Sequence, residues 1–332
     1  MLSGIDERAL LERIRARVPH LHADLLIGMG DDAALLRPGR NLADVVTTDM
    51  LMEGVHFRRG WSSPADIGAK AVLVNLSDLG AMGAEARAVL LSLALPLDFP
   101  LDEFDALVDG VADAAREARV AVAGGNLTRS AGPLVVDVTA IGSVHPRKVL
   151  RRDGVRPGDD VYVTGTLGAG AAGLAWLEQH GLPDEASPAW PAVRRACRPS
   201  PPLRAGLALS RARASRAAID LSDGLADGLR RLSEASGCGM AIDAAALPVD
   251  PSARAVFESL GRDALEGALA GGDDYELLFT VSTRSRGRFR AAQRVFRTEV
   301  TRIGTATAEQ GVRIDGAPGL DVASLGFDHF QR

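Results

Sequence analysis

Along this chain, apolar runs repeatedly stop at an acid or amide set beside glycine or hydroxyl residues. The pattern occurs at Gly28-Met29-Gly30-Asp31-Asp32, at Val45-Val46-Thr47-Thr48-Asp49, at Asn75-Leu76-Ser77-Asp78 and at Gly124-Gly125-Asn126. It returns at Ile219-Asp220-Leu221-Ser222-Asp223-Gly224 and at Gly271-Gly272-Asp273-Asp274. Chain segments that end this way deliver oxygen ligands to the tips of strands and helices, where Gly and Asp are also at home in turns. With helical spacing near the start of the chain and short apolar runs broken by Gly and Asp after it, the pattern reads as an α+β fold.

The coarse element pattern supports that class. Leu10, Leu11, Ile14 and Val18 recur at helical spacing within residues 5–18. Strands are expected over 43–48, 88–95 and 134–144, with helices over 64–82 and 101–118 between them. Residues 151–159, polar and broken by Gly154, Pro157 and Gly158, mark a domain boundary. Beyond it a strand is expected over 161–164, a surface loop holding a short helix over 181–202, a strand over 217–220, a helix over 225–236 and a strand over 276–281. A chain of 332 residues exceeds what one core usually holds, so two domains are expected, 1–150 and 151–332.

Composition removes several function classes. A net charge of −5, with no run of Lys or Arg, argues against a nucleic-acid partner. Only two of the 38 basic residues are lysines, Lys70 and Lys148, and neither sits in a GxxxxGK[ST] loop, so a nucleotide would be held by other means. Cys197 and Cys238 form no CxxC pair, which suits a reducing compartment. No apolar run approaches the roughly 18 residues of a membrane span, and the expectation is a cytoplasmic protein.

Several motifs leave two readings open at this level. Thr47, Thr48 and Asp49 are hard oxygen donors of the kind Mg²⁺ takes, while His56 close behind is by itself as ordinary as any lone histidine. Asn75 and Asp78 share a helix face among Leu73, Leu76 and Leu79, so the acid needs a metal, an arginine or capping donors nearby. Ser222 and Asp223 precede a helix whose N-terminus favours anions, or they simply cap it. Gly168, Gly170 and Gly173 fit GxGxxG after a strand, the outline of a dinucleotide fingerprint, but the region about 20 residues on is rich in Pro and Ser where a second strand ending in an acid is required. GxSxG, HExxH and Cys/His metal spacings are absent from the sequence.

Taken together, GMGDDAALL, TTDMLMEGVHF, NLSDLGAMGA, GGNLTR, VTGTLG, IDLSDG, GGDDYEL and the terminal GFDHF resemble the bacterial thiamine-monophosphate kinase family, from about residue 25 onward. The resemblance implies a two-domain fold like that of aminoimidazole ribonucleotide synthetase, with N-terminal sheets pairing into a barrel across a homodimer and a C-terminal α/β domain. It implies ATP and thiamine monophosphate as substrates and several Mg²⁺ ions. Carried over by position, Asp32, Thr47, Thr48, Asp49, Asp78, Asn126, Asp220 and Asp223 would bind metal. Gly125, Asn126, Arg152 and Ser222 would contact ATP, and His56, Asp273 and Phe327 would contact thiamine monophosphate. No general base is implied. Two positions depart from the family pattern: Asn126 stands where Asp is frequent, losing one negative charge, and Asp273 stands where many members carry Glu.

Overall fold

In the computed structural model, which describes residues 5–19, 22–29, 33–317, 322 and 325, the chain forms two compact units. Met1–Leu79 with Glu85–Pro146 make the first, and Gly80–Ala84 with Arg147–Arg332 the second. Asp32 and Phe327 lie outside the described residues.

The first unit opens with α1 (Glu7–Arg17), whose N-cap Asp6 accepts the Ala9 N–H at 2.7 Å. Short strands β1 (Leu25–Ile27) and β2 (Leu35–Leu36) pair antiparallel. The body of the unit is β3 (Ala43–Met52), α2 (Pro64–Ala81), β4 (Glu85–Pro96), α3 (Leu101–Ala118), β5 (Ala121–Ser130) and β6 (Val135–Val144). Its four strands run in the order β3-β6-β4-β5, antiparallel except for the β4–β5 pair. Period-2 alternation decides the two faces. Val136, Val138 and Ala140 of β6 and Val89, Leu91, Leu93 and Leu95 of β4 are buried with the apolar residues of α2 and α3, such as Leu76, Phe104 and Leu107. The opposite face is open: on β3, Val46 is 63% and Met50 51% exposed.

The helix expected over 101–118 has those limits. It starts after Pro100, and Arg119 in the left-handed region ends it. Strand β5, over which no strand is expected, runs through Gly124, Gly125 and Asn126 to Ser130. The parallel register with β4 explains this, because backbone pairing carries a glycine-rich segment that has little strand propensity of its own.

The second unit is built on a six-stranded sheet. Its strands are β7 (Asp160–Thr164), β8 (Ala218–Asp220), β9 (Gly239–Asp243), β10 (Leu277–Val281), β11 (Val300–Thr307) and β12 (Val312–Asp315). Spatial order is β12-β9-β11-β7-β10-β8, with every pair antiparallel except β12–β9. Helices α4 (Ala169–His180), α5 (Trp190–Cys197), α6 (Leu203–Ala212), α7 (Leu225–Ser236), α8 (Pro251–Ser259), α9 (Ala264–Ala270) and α10 (Arg286–Gln293) complete it. One core joins Val161, Val163, Ile219, Leu229 and Leu278; a second gathers Phe279, Phe289 and Phe296 around Leu209. The segment 181–202 contains α5, as its composition suggests.

Candidate functional site

In the first unit, the central pair is Thr47 of β3 and Asp78 of α2. The Thr47 hydroxyl donates to Asp78 Oδ2 at 2.5 Å, tying strand to helix. Asp49 follows Thr47 by two residues and shares its face of the pleat. Asn75, one helical turn before Asp78, is fully buried; its Nδ2 donates to the Ala71 carbonyl at 2.9 Å, while its Oδ1 has no partner among the described residues. A buried acceptor in that condition is costly unless something meets it. Every donor here is a hard oxygen, a set that fits Mg²⁺, which keeps waters and substrate phosphates in its shell. Among the described residues no group of three or more His, Cys, Asp or Glu converges on one point, so such an ion would draw much of its shell from hydroxyl, amide, water or phosphate oxygens.

The register separates the remaining first-unit residues from that pair. Asp49 stands in the row Asp49, Val138, Leu91, Gly125; the next row is Met50, Asp137, Ser92, Asn126. Adjacent rows point to opposite faces, so Asn126 lies on the face away from Asp49. Thr48 lies on that other face too, its hydroxyl 3.1 Å from the Thr139 hydroxyl and 3.1 Å from the Val138 carbonyl. Sequence reasoning passed over Asp137, an acid interrupting the valines of β6, which sits on this second face within 3.4 Å of the Thr48 hydroxyl. Gly125 is required where it stands: its φ is +154° and a Cβ would fall 1.7 Å from the Leu91 carbonyl oxygen. His56 Nδ1 accepts the Met52 N–H at 3.1 Å, which leaves its Nε2 to carry the proton of the neutral ring.

In the second unit, the motifs at 220–223 and 273–276 are stitched together through their backbones. Asp273 N–H donates to the Ser222 carbonyl at 2.8 Å, Tyr275 N–H to the Leu221 carbonyl at 2.9 Å and Leu221 N–H to the Glu276 carbonyl at 2.8 Å. Only glycine fits at 272, where a Cβ would meet the Ser222 carbonyl oxygen at 2.3 Å. Asp273 and Tyr275 both adopt positive φ, +64° and +51°; the first is a tolerated habit of Asp, the second is strain held by the surrounding bonds. The Tyr275 hydroxyl donates to Asp273 Oδ1 at 3.1 Å. Asp220 is buried at the end of β8, and Asp223 is ion-paired with Arg231 at 3.2 Å.

Helix α7 settles the capping alternative. Its N-cap is Gly224, with no side-chain capping bond, so neither Ser222 nor Asp223 is the N-cap residue. Arg152 stands in a short 3₁₀ turn, where its carbonyl accepts the Ser236 hydroxyl at 2.9 Å; the neighbouring Arg151 is clamped onto Asp153 at 2.8 and 2.6 Å.

The second acid of GGDD has a different task. Asp274, 1% exposed, accepts the amides of Gly168 at 2.7 Å and Gly170 at 3.1 Å, filling the N-terminus of α4 with a carboxylate of the chain itself. Burial pushes the Asp274 carboxyl up to about 7, with the two amides and Arg195 pulling the other way. Glu276 is likewise raised by burial, against Arg195 and the Thr164 hydroxyl, which donates to it at 2.6 Å. The GxGxxG outline is thereby explained without a dinucleotide. Its helix terminus is occupied, β7 has only antiparallel neighbours, and a Cβ at Gly170 or Gly173 would run into the carbonyl oxygens of Asp273 at 2.5 Å or Ala192 at 2.2 Å.

Two domain models describe the chain: AIR synthase related protein, N-terminal domain, over residues 30–144, and AIR synthase related protein, C-terminal domain, over residues 156–316. These make it a two-domain protein of the AIR synthase related class. Thiamine-monophosphate kinase of Escherichia coli K12 is 39% identical over 329 residues, 98% of each chain. The crystal structure of thiamine-monophosphate kinase from Stenotrophomonas maltophilia K279a superposes with a TM-score of 0.83 at 41% identity, covering 93% of this chain and 96% of that one. AaThiL complexed with AMPPCP and TMP superposes at 0.78 and 31% identity, covering 99% of both. The chain belongs to the thiamine-monophosphate kinase family.

Proposed function

We propose that the protein phosphorylates thiamine monophosphate with ATP, giving thiamine diphosphate and ADP by in-line attack of a monophosphate oxygen on the γ-phosphorus. The observation that carries this reading is the Ser222–Asp273 corner. It joins two oxygen-rich motifs beside an α7 N-terminus lacking a side-chain cap, in a chain whose full-length relatives include a structure complexed with AMPPCP and TMP. A phosphate monoester loses its second proton near pH 6, so the nucleophile is already ionised at neutral pH and needs no general base. His56 accordingly acts as a substrate contact, offering a proton from Nε2 because Nδ1 is engaged with Met52. Asp273, held in place by Tyr275, is a second substrate contact.

The barrier is charge repulsion, on the order of 4 kcal/mol for each pair of unit charges at 4 Å with an effective dielectric of 20. Mg²⁺ bound to carboxylates of this chain would supply the charge neutralisation and alignment that phosphoryl transfer demands. In the first unit Thr47, Asp49 and Asp78 hold such ions, with Thr48 and Asn126 offering donors on the other face; in the second unit Asp220 and Asp223 do so. Gly125, Asn126, Arg152 and Ser222 bind ATP, Arg152 offering a guanidinium suited to bidentate phosphate contact. The N-terminal domain, 1–150, carries metal and ATP ligands and pairs into a homodimer through its sheet, a reading supported by Val46 and Met50, 63% and 51% exposed on the face away from the helices. The C-terminal domain, 151–332, supplies the remaining nucleotide and substrate contacts, and the enzyme works in the cytoplasm. No helix among the described residues is long and apolar enough to cross a membrane. Product analysis with thiamine monophosphate and free thiamine as parallel acceptors tests the reading.

A further inference from the structure

The second unit carries a cavity of about 760 Å³ whose walls are strongly basic and contain none of the residues assigned above. Arg147 and Lys148 enter from the segment before the 3₁₀ turn, and Arg156 from the turn before β7. Arg213 and Arg216 come from the connection between α6 and β8, while Arg284 comes from the 3₁₀ turn before α10 and Arg288 from the first turn of α10. Seven cations thus surround one carboxylate, Asp159, in a protein whose net charge is −5. That carboxylate is buried and accepts the Arg156 N–H at 3.1 Å, and it can offset only one of the seven positive charges.

The rest of the lining suits phosphate oxygens. Ser282, Thr283 and Ser285 line the wall just ahead of α10 and add hydroxyl donors to the guanidinium groups. Arginine guanidinium groups give the forked donors that phosphates accept. The lining contains no aromatic residue, so no base or other ring has a surface to stack on.

We propose that this cavity binds a linear oligophosphate, inorganic or as the tail of a larger molecule, by reading its phosphates alone. A cluster of cations enclosed in a cavity selects a compact polyanion over a monovalent ion, and it lacks the extended track that a nucleic-acid strand would follow.

The test is calorimetric titration of the full-length protein with tripolyphosphate in EDTA, which removes the Mg²⁺ on which nucleotide binding in the proposed function depends and so silences that site. The expected result is one-site binding that weakens at least tenfold in R284E/R288E, with turnover of ATP and thiamine monophosphate in that variant unchanged. R147S/K148S, on a separate segment, should weaken binding at least threefold, and circular dichroism checks that both variants are folded. CTP should compete with tripolyphosphate within about threefold, because the lining reads no organic group. No binding in EDTA, or affinity equal to the parent protein's in folded R284E/R288E and R147S/K148S, would overturn the proposal. A single-stranded oligonucleotide binding tenfold more tightly than tripolyphosphate would overturn the choice of ligand.

Discussion

Two regions of this molecule use the same sequence habit, acids beside glycine or hydroxyl residues, for opposite ends. In the second unit Asp274 and Glu276 are turned inward, where glycine amides, Thr164 and Arg195 satisfy them, and they act as struts that fix α4 and β10. In the first unit Asp49 stands exposed on strand β3, and Asp78 accepts the Thr47 hydroxyl, with the buried Asn75 side-chain oxygen lacking a partner among the described residues. The lesson is that such a corner is a strut where packing turns its acid inward onto buried donors of the chain, and a site where its acid stands at an exposed strand edge. Donor supply is decided by tertiary packing, which no local motif contains.

The comparison breaks most visibly under substitution. Asp49→Ala or Asp78→Ala should lower turnover by about a thousandfold or more, since several kcal/mol of charge stabilisation depend on such ligands, while the thermal midpoint stays near wild type. Coupled ADP assays with circular dichroism melts check both halves. Near-normal turnover in both folded variants would remove these residues from the metal set.

Asp274→Ala should do the reverse, costing about 1–3 kcal/mol of stability through the two amides it leaves buried, with a smaller effect on turnover in the folded fraction. Asp274 also makes a pH signature. An acid held near 7 keeps its proton in the native state at pH values where the unfolded chain, with its carboxyl near 3.8, has lost it. Its stabilising contribution is therefore full below about pH 4 and is lost as pH rises through about 7. Glu276, raised in the same direction, adds to that slope. Urea unfolding from pH 4.5 to 8 should show a flatter dependence in Asp274→Asn than in the parent protein.

Smaller effects sharpen the first-unit picture. Restoring the frequent acid with Asn126→Asp adds a carboxylate to the row that already holds Asp137 and Ser92, and should lower the Mg²⁺ concentration for half-maximal activity by about threefold to tenfold. An unchanged Mg²⁺ requirement would mean that this face takes no part in cation binding. Smallest of all, Tyr275→Phe removes one hydroxyl bond to Asp273, worth about 1 kcal/mol, and should raise the KM for thiamine monophosphate severalfold with kcat nearly intact.

Much of the fold was legible where local periodicity and tertiary packing agree. Helix α3 shows its buried stripe of Phe104, Leu107, Val108 and Val111 in sequence, and its limits fall where expected. The strand over 43–48 was legible too, but β3 continues to Met52, because ten successive pairings with β6 carry it past the polar Thr47-Thr48-Asp49. Strand β5 was hidden by its glycines, and the largely antiparallel order of the second sheet has no local signature. At the candidate site the residue types were visible and their partition was not. Only the register reveals that Thr48 and Asn126 face away from Thr47 and Asp49, and only burial reveals that Asp274 is a strut while Asp273, one residue earlier, is held by Tyr275.

The most direct test of the central claim is to incubate the purified protein with ATP, Mg²⁺ and either thiamine monophosphate or free thiamine, then separate the thiamine species and quantify ADP. Thiamine diphosphate formed from the monophosphate alone, in a one-to-one ratio with ADP, is the predicted result. ATP binding with no thiamine diphosphate formed, or product formed equally from free thiamine, would contradict the account.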